Sequence, residues 1–221
     1  MSELQTLYQE IQRCEKCILS QGRTNAVPGE GPEDAEILFI GEGPGFHEDR
    51  QGRPFVGAAG QYLEELLASI GLKREQVYIC NVVKCRPPGN RDPHPVEVER
   101  CQEWLWQKLE LVRPKVVCSL GNFATKLLRG DQTGITRVHG QVEERQLGSR
   151  NVRLLPLFHP AAALYTPANV ELLRSDMAQI PGLLALDALP DPEPEVLAAA
   201  AAPAEAADLQ ADDAADQLGL F

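Results

Sequence analysis

Apolar residues along this chain fall into short unbroken runs, separated by stretches in which they recur at helical spacing. Ile37-Leu38-Phe39-Ile40, bounded by Gly and Pro, fits a strand covered on both faces. Val77–Val83 (VYICNVV) and Lys115–Leu120 (KVVCSL) repeat the pattern, and two further strands are expected around 141–142 and over Val152–Phe158. Between them the period changes. Leu4, Leu7, Tyr8 and Ile11 share one helical face; Tyr62, Leu63, Leu66, Leu67 and Ile70 share another, stopped by Gly71. Glu97–Val112 carries Cys101, Trp104, Leu105, Leu109 and Val112 on a third helix, and Gly121-Asn122 opens a fourth through Leu128. Strands alternating with helices predict an α/β fold, a three-layer α/β/α sandwich with a mostly parallel central sheet.

From Leu186 onward the pattern disappears into Pro, Ala, Asp and Glu, a composition that cannot build a core and predicts a disordered C-terminal tail. This divides the 221 residues into a domain over 1–186, a flexible acidic linker over 187–216 and a terminal peptide, 217–221. The division changes the reading of the charge. The formal net charge of −11 argues against a polyanionic partner, but nine of the 32 acids and none of the 21 bases lie after residue 186. The domain is therefore nearly neutral and can present a basic face. No apolar run reaches the length of a membrane span and the N-terminus is not a signal peptide, so a cytoplasmic protein is expected.

Candidate chemistry collects where strands end. After Ile40 comes Gly41-Glu42-Gly43-Pro44-Gly45, with His47, Glu48 and Asp49 close behind and Phe55 between Pro54 and Gly57. This turn lacks the spacing of a dinucleotide fingerprint or a phosphate loop. It does offer a carboxylate within a tight turn and an aromatic ring able to stack on a flat ligand. Asn81 puts an amide into an apolar strand, where it needs partners or lines a site. Cys14-x-x-Cys17 at the end of the first helix, with Cys85 and Cys101, supplies four thiols suited to zinc or an iron-sulfur cluster. Cys80 and Cys118 lie inside strands and read as core residues.

Taken in order, GEGPG, GRPFVG, the strand Asn81, KCRPPGNRDP, Cys101 and FHPA resemble the family 4 uracil-DNA glycosylases, the iron-sulfur members of their superfamily, over roughly residues 5–186. The resemblance implies a monofunctional DNA-repair enzyme that flips uracil out of single- or double-stranded DNA, hydrolyses its glycosidic bond and leaves an abasic site. It implies a structural [4Fe-4S] cluster on Cys14, Cys17, Cys85 and Cys101, with no catalytic metal. Phe55 would stack on uracil, Asn81 read its Watson–Crick edge and Glu48 exclude the thymine methyl. Glu42 and the Gly43 backbone would sit beneath the sugar, Asn90 would help order the water, and His159 would donate to uracil O2.

The segment after FHPA departs from the family's usual bulky residues, leaving Leu164 or Tyr165 as the wedge that fills the vacated stack. PPGNRDPHP lacks the basic insertion of the branch that traps DNA covalently, and Glu42 separates the chain from family 5, whose first turn lacks a polar residue. The terminal QLGLF resembles the bacterial sliding-clamp pentapeptide, with Gln217, Leu218, Leu220 and Phe221 as the docking residues. A monomer associated with the bacterial nucleoid is expected. The competing class is a noncatalytic iron-sulfur nucleic-acid-binding accessory protein, which would keep the cysteines but give Glu42, Phe55, Asn81 and His159 no reason to converge.

Overall fold

The computed structural model describes residues 1–192. The clamp-type residues Gln217, Leu218, Leu220 and Phe221, and most of the expected 187–216 linker, lie outside the described residues. In chain order the elements are α1 (Glu3–Arg13), α2 (Leu19–Gly22), β1 (Ile37–Gly41), α3 (Phe46–Gln51), α4 (Ala58–Ser69), β2 (Tyr78–Asn81) and α5 (Pro95–Val112). They continue with β3 (Val116–Leu120), α6 (Asn122–Arg129), α7 (Ile135–Val138), β4 (Glu143–Leu147), β5 (Arg150–Leu157), α8 (Pro160–Tyr165), α9 (Ala168–Met177) and α10 (Ile180–Leu184).

Five strands form one sheet in the order β2-β1-β3-β5-β4, parallel except for β4, which pairs antiparallel with β5. Because side chains alternate along a strand, β1 divides its apolar run between two cores. Leu38 and Ile40 face a cluster built with Leu4, Leu7 and Ile11 of α1, Trp104, Leu105 and Leu109 of α5, and Ala124 and Leu128 of α6. Ile37 and Phe39 face the opposite cluster, with Leu63, Leu66 and Leu67 of α4, and Leu173 and Met177 of α9. Helices therefore cover both faces, and the three-layer α/β/α sandwich holds.

The expected fourth strand is displaced. Gln141 and Val142 lie outside β4, which runs Glu143–Leu147 with the sequence EERQL. An edge strand exposed along one side has no continuous apolar run, and only Leu147 is fully buried. The short helix α3 interrupts what reads as one long Gly-rich loop. Cys80 and Cys118 are fully buried in the strands, as expected for core thiols.

Candidate active site

β1 pairs with β2 on one side and β3 on the other, so connections diverge at the carboxyl ends of these strands and open a crevice there. Glu42 follows β1, Asn81 ends β2, Gly121 follows β3 and His159 follows β5. A pocket of about 480 Å³ is lined by Glu42, Gly43, Glu48, Phe55, Asn81, Asn90 and His159, among others. Every residue expected to meet the base or sugar lines this one cavity. A second groove of about 750 Å³ shares Glu42 and His159 with it and runs along Asp92, Asn122 and Lys126.

The glycines make room for the protein's own side chains as much as for a ligand. A Cβ on Gly41 would stand 2.4 Å from Asn81 Oδ1 and 2.8 Å from Phe55 Cζ. Gly41 and Asn81 are register partners, so the amide and the ring meet over a position that only glycine can occupy. Phe55 is itself held at φ +49°, an unfavourable left-handed conformation for a bulky residue. Two side chains hold it there. Arg74 donates to the carbonyls of Pro54 and Phe55 at 2.5 and 2.9 Å, and Glu48 accepts from the amides of Val56 and Gly57 at 2.9 and 3.0 Å. A Cβ on Gly60 would lie 1.9 Å from the Phe55 carbonyl oxygen. The Phe55 ring stacks on the His159 imidazole with centroids 5.6 Å apart.

His159 is the N-cap of α8, and its Nδ1 accepts from the Ala161 amide at 3.2 Å. That bond places the imidazole proton on Nε2. Burial lowers the pKa of His159 to about 4 against a small upward pull from Glu48, so the ring is neutral at physiological pH. Burial raises the Glu42 carboxyl to about 7, with the nearby Asp92 charge adding to the rise. The two groups are thus a neutral donor and a carboxylate poised near neutrality, the kind of perturbation found at reacting centres. Asn90 has φ +55° and accepts from Arg86 Nε at 2.7 Å through Oδ1. Arg91 pairs through both terminal nitrogens with the buried Glu97, at 2.7 and 2.9 Å, and this fixes the loop between β2 and α5.

Cys14, Cys17, Cys85 and Cys101 line one small void together with Lys16, Arg23, Lys84, Arg100 and Trp104. Three of the sulfurs accept hydrogen bonds: Cys14 from Trp104 Nε1 at 3.4 Å, Cys85 from Arg23 at 3.2 Å, and Cys101 from the Lys84 amide at 3.3 Å. Burial pushes the free Cys85 thiol up to about 11 and also raises Cys17. Among the described residues no three His, Cys, Asp or Glu side chains stand close enough to hold one metal ion. The four thiols instead surround a small volume, with the Arg23 guanidinium, the Trp104 indole N–H and the Lys84 amide donating to sulfur, contacts that suit negative charge there.

Leu164 and Tyr165 lie on α8, 46% and 85% exposed, close in sequence to His159. Sequence reasoning missed Arg74, Asp92 and the buried Lys84, whose Nζ donates to the Asn81 and Val82 carbonyls. Lys84 carried a faint signal, since a lysine directly after an apolar strand and before Cys85 is poorly placed for solvent. Arg74 carried none.

Residues 28–179 match the model of the uracil DNA glycosylase superfamily. The chain belongs to that superfamily. Within it, the chain is similar to the type-4 uracil-DNA glycosylases. It is 50% identical over 184 residues to the type-4 enzyme of Archaeoglobus fulgidus, covering 81% of this chain and 92% of the relative. It is 44% identical to that of Sulfurisphaera tokodaii, covering 81% and 84%. A type-5 uracil-DNA glycosylase from Pyrobaculum aerophilum is more distant, 34% identical and covering 65% of this chain and 67% of the relative. The family 4 assignment drawn from Glu42 and the ordered motifs therefore stands. Among the described residues no helix is long and apolar enough to cross a membrane.

Proposed function

We propose that this chain is a monofunctional uracil-DNA glycosylase that acts on a base turned out of the DNA stack. The observation that carries the reading is the meeting of Asn81, Phe55, Glu42 and a neutral His159 in a single pocket. Phe55 stacks on the uracil ring. The Asn81 amide donates to O4 and accepts from N3–H, whereas cytosine presents the opposite pattern and leaves a buried amide mispaired. Glu48 bounds the pocket on the side of the C5 methyl, while holding the Phe55 loop through its other contacts.

As the bond between C1′ and N1 breaks, its electron pair passes to the base and positive charge develops on the sugar. His159 Nε2–H donates to uracil O2 and stabilises the anion, and ionised Glu42 stabilises the sugar cation and orients a water. The water oxygen bonds to C1′, and its proton leaves through Glu42 or solvent. Asn90 helps order that water, and Leu164 or Tyr165 fills the gap left in the duplex.

Cys14, Cys17, Cys85 and Cys101 would hold a [4Fe-4S] cluster, for which four sulfurs lining one void, with N–H donors from Arg23, Trp104 and the Lys84 amide, are the fitting environment. When bound it would cross-link α1 to the loop after β2 and to α5. The terminal Gln217, Leu218, Leu220 and Phe221 are proposed to dock in a sliding-clamp groove.

The test is release of free uracil from a single-stranded uracil-containing oligonucleotide in excess EDTA, followed by alkali. Uracil release with alkali-dependent strand breaks is expected, and Asn81→Ala should abolish it. Absence of release from protein retaining its iron would refute the reading.

A further inference from the structure

α3 begins with Phe46, directly after the pocket residue Gly45, and this residue is 47% exposed. A single exposed apolar residue needs no explanation by itself; what sets Phe46 apart is its company. Two guanidinium groups from different elements approach the ring. Arg50, one helical turn on, lies 5.6 Å from its centroid, and Arg86, from the loop after β2, lies 5.2 Å away. Among the described residues neither arginine forms a salt bridge with an acid. The acids nearest Arg50 in sequence are engaged elsewhere: Glu48 by the amides of Val56 and Gly57, and the buried Asp49 by the Thr24 amide. Arg86 is further oriented by its bond to Asn90, which lines the pocket. Two guanidinium groups without an acidic partner are thus gathered on one exposed ring at the pocket's edge.

We propose that Phe46, Arg50 and Arg86 form a phosphodiester anchor at the mouth of the pocket, gripping the backbone of the strand whose base is turned inward. The ring acts as a spacer. Cation–π attraction holds both guanidinium groups to it, so two like charges are kept near one another before any DNA arrives. Each planar fork can then give paired N–H donors to phosphate oxygens. Position selects the ligand, because a nucleotide with its base among Phe55, Asn81 and His159 has its own phosphates at the rim where these side chains lie. The anchor rests on the glycosylase reading for its biological meaning, but it can be measured without catalysis.

The experiment uses full-length, iron-containing protein and a uracil-free single-stranded oligonucleotide, with Kd measured across a series of salt concentrations. Each lost phosphate contact should reduce the magnitude of the slope of log K against log salt by about 0.7. Arg50→Met should therefore lower it by about 0.7 and the Arg50→Met/Arg86→Met double variant by about 1.4. Phe46→Ala, which keeps both charges but removes the spacer, should weaken binding at every salt concentration. Lys73→Met, before the amino end of β2 and so at the opposite end of the strands from the pocket, should leave the slope unchanged. In uracil release, Arg50→Met should raise KM and keep kcat. An unchanged slope in the double variant, or an equal loss in the Lys73 control, would overturn the anchor. Failure of the wild type to release uracil would sink the glycosylase reading while leaving the slope test valid.

Discussion

Glu42 is the group whose protonation should set the rate. Its pKa of about 7 means that roughly a tenth of the molecules carry the carboxylate at pH 6, about half at pH 7 and about nine tenths at pH 8. If only the ionised form supports bond breaking, the single-turnover rate of uracil release rises about tenfold between pH 6 and pH 8 and then levels. His159 does not contribute to this limb, because its pKa of about 4 keeps it neutral throughout the range. Glu42→Gln should be slow and flat with pH. Asp92→Asn should move the midpoint downward, though not to the ordinary carboxylate value, since burial is the larger cause of the shift. Stability should mirror this with opposite sign. The folded pKa lies above the unfolded value of 4.5, so the buried charge disfavours the fold above pH 7, and that cost fades as pH falls toward 4.5. Glu42→Gln should therefore have a higher Tm than the wild type at pH 8, and the difference should close below pH 4.5. Rapid-quench rates between pH 5.5 and 8.5 provide the assay. A flat wild-type profile, or the same limb surviving in Glu42→Gln, would refute the assignment.

Two predictions concern how Phe55 and Asn81 are held. Arg74→Met removes two charge-assisted bonds of about 1.5–3 kcal/mol each from a residue in a disfavoured conformation, and should lower kcat/KM at least tenfold in steady-state assays, with partial recovery in Arg74→Lys. Gly41→Ala drives a methyl into Asn81 and Phe55 and should cost about 1–3 kcal/mol by chemical denaturation, together with most of the activity. Gly22→Ala, with open space around its Cβ, should be nearly neutral; equal behaviour of the two alanine variants would show that the close approach at Gly41 is unimportant.

The predictions draw on different levels of the chain. Unbroken apolar runs can be buried only between two helical layers, so the sequence alone carried β1, β2, β3 and β5 and the three-layer architecture. Ordered motifs marked Glu42, Phe55, Asn81, His159 and the four cysteines, because each is a polar, aromatic or thiol group and all but Cys101, which lies within α5, are set in or next to a loop. The mostly polar edge strand β4 escaped because one of its sides needs no apolar covering. Tertiary structure decided the rest. Which turns share a pocket follows from the strand order, and the order of hydrophobic runs does not encode it. The proton on His159 depends on the Ala161 amide, and the pKa of Glu42 depends on burial and on Asp92, fifty residues away in sequence. Arg74 reaches Phe55 across nineteen residues, and Arg86 reaches the Phe46 ring from another loop. Local sequence chooses the elements because backbone propensity and apolar periodicity act over a few residues, whereas electrostatics and close packing act through space.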